Sequence, residues 1–167
     1  MTAEIVIIIS TLILSAFFSG MEIAYVSANK IHIELEKKQG DFLGKILGKL
    51  TARPSKYIAT MLIGNNIALV IYGFKMGDVL VRWFQSMLPS DSTTLTYLIT
   101  DLQLLTQTVI STLVILITAE FLPKVFFQIY ANSLLKILAF PTYVFYVLFS
   151  WISDFVIWIS DAVLKYI

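Results

Sequence analysis

The chain has 167 residues, of which 58% are hydrophobic and only 14% charged; soluble domains usually carry about 25% charge, so composition places it among membrane proteins. Its net charge of +1 gives no reason to expect nucleic acid. The absence of cysteine excludes disulfides, thiolate zinc sites, iron–sulfur clusters and thiol catalysis from these residues.

Residues 3–27 form a first hydrophobic helix, long enough to cross a hydrocarbon core of about 30 Å. Its opening run lacks a basic leader and a small-residue cleavage site, so it reads as a retained span and not as a signal peptide. Residues 30–56 set Lys30, Lys37, Lys38, Lys45, Lys49, Arg53 and Lys56 against Glu34, Glu36 and Asp41. Apolar residues recur there at helical spacing around Gly40, which predicts one or two short amphipathic helices at the membrane surface. The single histidine, His32, falls in this stretch and reads as a solvated surface residue.

A second span covers about residues 57–83, where Lys75, Asp78 and Arg82 show its far end reaching headgroups or a wet cavity. The polar connection at 86–96 carries no lysine or arginine, so the positive-inside rule places it outside and the 30–56 connection in the cytoplasm. That orientation puts the N-terminus outside. A third span covers about residues 97–122. Residues 134–167 are interrupted by Pro141 and carry Ser150, Ser153, Asp154, Ser160 and Asp161 with Trp151 and Trp158. Such a stripe fits an interfacial helix or hairpin better than a fourth crossing. The predicted fold is an all-α integral membrane domain: three transmembrane helices plus juxtamembrane or re-entrant amphipathic helices, with a cytoplasmic C-terminus.

Three polar clusters sit within or at the edge of these spans, where an unsatisfied polar group costs several kcal/mol. Ser15 and Ser19, four residues apart, share one face of the first span beside Gly20; helix packing alone also accounts for such small residues. Gly64, Asn65 and Asn66 are poor helix formers in the middle of the second span, and predict either a local break that frees carbonyl oxygens or a pair of interhelical hydrogen bonds. Glu120 precedes Pro123 and Lys124 at the end of the third span. Proline removes a backbone donor and clashes one turn back, so the helix should kink or loosen near Ala119 and Glu120. Glu120 and Lys124 also fit a headgroup-level ion pair. Together the clusters offer hard oxygen ligands without sulfur or imidazole, which suits Mg²⁺, Ca²⁺ or Na⁺. No histidine lies within a span to activate a serine, and no paired carboxylates are evident, so an enzyme is not expected.

These segments resemble the CNNM/CorC magnesium-transporter family, labelled hemolysin-like in bacteria. Phe17-Phe18-Ser19-Gly20-Met21-Glu22-Ile23-Ala24 is similar to that family's FSGxE-A stretch, Leu62-Ile63-Gly64-Asn65-Asn66-Ile67 to its LxGN stretch, and Ala119-Glu120-Phe121-Leu122-Pro123-Lys124 to its GE-hydrophobic-x-PK stretch. Each motif is short, but their order and their places relative to the spans make the match fairly specific, and it covers nearly all of residues 1–167.

The resemblance implies a homodimer in the inner or plasma membrane, with a juxtamembrane belt and cytosolic CBS domains to follow. No CBS-like sequence precedes Ile167, so the membrane domain alone, or a truncated piece, is expected. It also implies a Mg²⁺ site in the membrane, with Ser15 and Ser19 matching its serines, Gly64 its carbonyl donor and Asn65 its asparagine. Glu120 and Pro123 match the motif that closes the site. Many members carry another asparagine later in the second helix; here Ile67, Ala68, Leu69 and Val70 follow, so either Asn66 substitutes or that ligand is absent. The implied activity is outward Mg²⁺ transport by alternating access with Na⁺ exchange. The alternative is a membrane scaffold that senses Mg²⁺ for a cytosolic module without moving it.

Overall fold

The computed structural model describes residues 2–88 and 93–165, so the centre of the 86–96 connection and the end of the C-terminal segment lie outside the described residues. Helix α1 (Thr2–Ser27) leads through α2 (Lys30–Gln39) and α3 (Phe42–Thr51) to α4 (Pro54–Ser86). After α5 (Thr93–Thr100) come α6 (Gln103–Ile115), a π-helical turn (Leu116–Phe121) and α7 (Leu122–Ile129), then α8 (Ala131–Ile137), α9 (Ala139–Leu148) and α10 (Ser150–Leu164). No strand occurs among the described residues.

Among the described residues three helical stretches are long and apolar enough to cross a membrane: α1, α4, and the composite α6–π–α7 run from Gln103 to Ile129; the bent pair α8–α9 passes the same test only if its two helices are taken as one broken span or re-entrant loop. The third begins later than hydropathy suggests because a turn at Asp101 and Leu102 separates α5 from α6. It recovers its length past Pro123, which the π-turn accommodates.

Helices α1 and α4 run antiparallel. Arg82 pairs with Glu4 at 2.7 Å, Ser15 bonds Asn65, and the Tyr57 hydroxyl donates to the Met21 carbonyl at 3.0 Å. Helix α6 lies against the Arg82 end of α4, where the Tyr72 hydroxyl donates to the Ser111 carbonyl at 3.2 Å and the Gln107 side chain fills the space over Gly77. Beyond the π-turn the third span leans on α1 instead, with the Phe127 ring seated on Gly20.

The main buried cluster is displaced to one end of the spans. Met21, Ala24, Tyr57 and Met61 meet Ile46, Leu47 and Leu50 of α3 and Ala131, Leu135 and Ala139 of α8 and α9. Spans bathed in lipid gain little by hiding apolar surface from one another, whereas short amphipathic helices at the surface must bury theirs. The belt is built accordingly. Asn29 caps α2 and Asp41 caps α3 through side-chain oxygens, and Gly40 makes the left-handed turn between them at φ 72°. Buried Glu36 pairs with Lys136 of α8, and the Asn29 N–H donates to Asn132 Oδ1 at 2.9 Å. His32 sits on the belt near Glu36, at 3.6 Å.

Helices α8 and α9 meet at 63°, and α10 lies along the first turns of α4. The first half of the polar stripe read from the sequence, Ser150, Ser153 and Asp154, meets that contact, whereas Ser160 and Asp161 are exposed. The buried Lys56 ammonium donates to Ser150 Oγ and Asp154 Oδ2, each at 2.6 Å, and the Thr60 and Ser153 hydroxyls share a hydrogen bond at 2.9 Å. Because Lys56 is buried and Asp154 half-exposed, Asp154→Asn should cost about 1–2 kcal/mol, below the figure for a fully buried pair. A lower melting temperature in detergent checks this, and Lys56→Met with Asp154→Asn together should cost less than the two separately.

Candidate functional site

Where α1 crosses α4, the Ser15 hydroxyl donates to Asn65 Oδ1 at 2.6 Å. The crossing is close because Gly64 has no side chain: a Cβ there would lie 2.5 Å from the Phe18 ring. Phe18 cannot retreat, being buried edge-on against Phe145, with ring centroids 4.8 Å apart. Of the two outcomes expected at Gly64-Asn65-Asn66, the local break does not occur, and of the pair of interhelical hydrogen bonds only the one at Asn65 is made among the described residues. Helix α4 is continuous through these residues, since close interhelical packing outweighs their weak helix propensity. Their carbonyls therefore stay in the helical ladder, and Gly64 can offer an ion only the second lone pair of its oxygen.

One turn along α1, Ser19 is buried, and its Oγ has no hydrogen-bond partner among the described residues. Helical serines and threonines usually satisfy themselves by bonding a carbonyl one turn back. Thr11 does so at 2.9 Å to Ile7 and Thr60 at 2.7 Å to Lys56, but Ser19 does not. Asn66, about 100° further round α4, is exposed and is not brought to this cluster.

The π-turn falls at Leu116–Phe121, where the proline should loosen the helix, and the Leu122 N–H bonds the Ile117 carbonyl in the wider pattern. It places half-buried Glu120 against α1, with Lys124 Nζ 3.9 Å from its carboxylate. Glu22 of α1 lies within electrostatic reach of both. Sequence reasoning treated Glu22 only as a motif letter, yet its position was legible: Thr11, Ser15, Ser19 and Glu22 recur at helical spacing and form one polar stripe along α1. Glu4, paired to Arg82, stands at the far end of the same helix. If the π-turn sets where Glu120 stands, Pro123→Ala should let the span tighten to an α-helix and turn Glu120 by about 100° away from Glu22. Thermal stability should hold or rise while ion-dependent behaviour falls, as melting curves with and without Mg²⁺ will report.

The donor set can be tested against a cation. An octahedral Mg²⁺ with oxygens at about 2.0–2.1 Å holds adjacent ligands about 2.9 Å apart. Ser15 Oγ and Asn65 Oδ1, at 2.6 Å, need only open slightly and turn the hydroxyl proton away. Among the described residues no group of three or more histidines, cysteines and carboxylates could hold a metal, so any cation here would be met by neutral oxygens and its own water.

Residues 5–167 match the cyclin M transmembrane N-terminal domain. The chain belongs to the CNNM family. It is 28% identical over 120 residues to the UPF0053 inner membrane protein YfjD of Escherichia coli (strain K12), a match that spans 72% of this chain and 24% of that protein. Over 70 residues it is 33% identical to the UPF0053 protein sll0260 of Synechocystis sp. (strain ATCC 27184 / PCC 6803 / Kazusa), spanning 42% of this chain and 16% of that one. The matches thus span about a quarter or less of the length of these curated relatives. As a CNNM transmembrane domain with three apolar spans, the chain is a multi-pass protein of the inner or plasma membrane.

Proposed function

We propose that this CNNM domain carries Mg²⁺ out of the cell by alternating access, exchanging it for Na⁺, with Ser15, Ser19, Gly64 and Asn65 as the ion's oxygen ligands. The observation that carries the reading is the buried Ser19 hydroxyl without a partner, one turn from the Ser15–Asn65 pair. Helical serines that serve packing alone usually bond their own helix, so a ligand role accounts for the free hydroxyl. Mg²⁺ sheds water reluctantly, so neutral oxygens would bind it weakly enough for release. Glu22 and Glu120 stand at the belt end of the stripe, where their charge would draw a cation toward the site. Under the positive-inside orientation that end is cytoplasmic and the N-terminus is outside. Glu120 closes the site, and Asn66 contributes nothing.

The chain is read as one of two copies in a dimer that precedes cytosolic CBS domains. Only 6% of the most apolar stretch of the third span is buried within the chain, which leaves its surface for lipid or a second copy. No catalytic step is assigned. Reconstitution into liposomes with an internal Mg²⁺-sensitive dye tests the reading: flux should follow a Na⁺ gradient and fall at least about tenfold in Asn65→Ala, the effect of losing about 1.4 kcal/mol of ion stabilisation. Unchanged flux in that variant would overturn the site. Mg²⁺-dependent stabilisation without any flux would leave the sensing scaffold as the function.

A further inference from the structure

Beside the belt, where α1 ends and α4 begins, lies a cavity of about 470 Å³. Tyr25, Val26 and Ile33 give it an apolar lining, and Lys30, Glu34 and Lys37 supply its charge. Lys37 is neutralised by Glu34 at 2.6 Å. Lys30 has no hydrogen-bond or ion-pair partner among the described residues, so the cavity keeps one uncompensated cation. A neighbouring cavity at Arg53 and Lys56 differs on this point, because Asp154 already meets both of its cations.

The surroundings indicate what the cavity meets. Ile31 is 71% exposed, Leu35 55% and Phe42 66%, and Val26 on the cavity's own wall is 64% exposed. Apolar side chains presented outward beside a row of lysines belong in the headgroup and upper acyl region of a leaflet, where lysine stems lie along apolar surface and their ammonium groups reach phosphates. A water-soluble anion would gain nothing from the apolar walls, whereas a lipid fills both parts of the cavity at once.

We infer that this cavity binds the headgroup of an anionic phospholipid from the leaflet in which the belt lies, with Lys30 on the phosphate and the acyl chains running over Val26 and Ile33. A phosphatidylglycerol headgroup carries the single negative charge that Lys30 lacks. A phosphatidylcholine brings its own cation and has less to gain. The inference stands apart from the ion site and from the direction of transport.

The test is native mass spectrometry of the purified chain offered equal amounts of phosphatidylglycerol and phosphatidylcholine. Wild-type protein should retain the anionic lipid, and Lys30→Gln should lower that retention about fivefold, the effect of one lysine at a membrane surface. Lys30→Arg should keep it. Lys45→Gln, which removes an exposed belt lysine outside the cavity, should keep it too. Equal retention of the two lipids by wild-type protein would overturn the site. So would an equal loss in Lys30→Gln and Lys45→Gln, which would mean a diffuse basic surface, or displacement of the lipid by glycerol 3-phosphate at matched concentration, which would mean a site for free phosphate.

Discussion

Replacing Ser19 by alanine should raise the melting temperature of the metal-free domain and abolish the rise that Mg²⁺ produces in the wild-type protein. The two shifts have different causes. A hydroxyl buried without a partner costs about 1–3 kcal/mol, and alanine removes it with little change of shape, so the metal-free fold should gain on the order of 1 kcal/mol. An ion that binds only the folded domain stabilises it in proportion to its occupancy, and loss of a ligand lowers that occupancy at any given concentration. A serine retained for packing would give the first shift without the second, because Mg²⁺ would stabilise both proteins alike. Melting curves with and without Mg²⁺, run on wild type and Ser19→Ala in one detergent, separate the possibilities. Ser15→Ala makes the contrast sharper. It deletes a hydrogen bond already made and strands Asn65 Oδ1, so it should destabilise the metal-free domain.

How far the sequence foretold this arrangement varied from residue to residue. The three spans followed from hydropathy, and the loosening before Pro123 followed from the missing donor; a π-turn occupies Leu116–Phe121. Gly40 divides two belt helices as its place in the amphipathic pattern indicates. At Gly64-Asn65-Asn66 local propensity pointed to a break that tertiary contact prevents, because the glycine's value lies in letting the Phe18 ring approach, not in bending the chain. The start of the third span is not legible for a related reason: hydropathy does not register a turn such as the one at Asp101 and Leu102. The bonds from Lys56 and Thr60 to α10 join residues more than ninety positions apart. The sequence showed a polar stripe on α10 but not which helix it would meet. Glu22 is legible along the helical face of α1, with Thr11, Ser15 and Ser19, but not from the short motif that contains it.

The second large effect belongs to Gly64. Gly64→Ala should separate α1 from α4 and disable the ion site, although alanine favours a helix more than glycine does. The new methyl would meet the Phe18 ring at 2.5 Å, and that ring is held by Phe17, Phe145 and Phe149 with centroids between 4.8 and 6.3 Å away. With no room behind the ring, relief must come from the helix crossing itself. Overpacking of this kind costs about 1–3 kcal/mol, and the same displacement draws Asn65 Oδ1 away from Ser15 Oγ. Melting temperature and Mg²⁺-dependent stabilisation should therefore both fall, unlike the opposed shifts expected of Ser19→Ala. Adding Phe18→Leu supplies the missing space. The double variant Phe18→Leu/Gly64→Ala should recover more stability and more Mg²⁺ response than the sum of the single changes allows, because the residues are in contact and their effects are not additive. If Gly64→Ala leaves the Mg²⁺ response intact, the crossing distance does not govern the site and the ligand role of Asn65 falls with it.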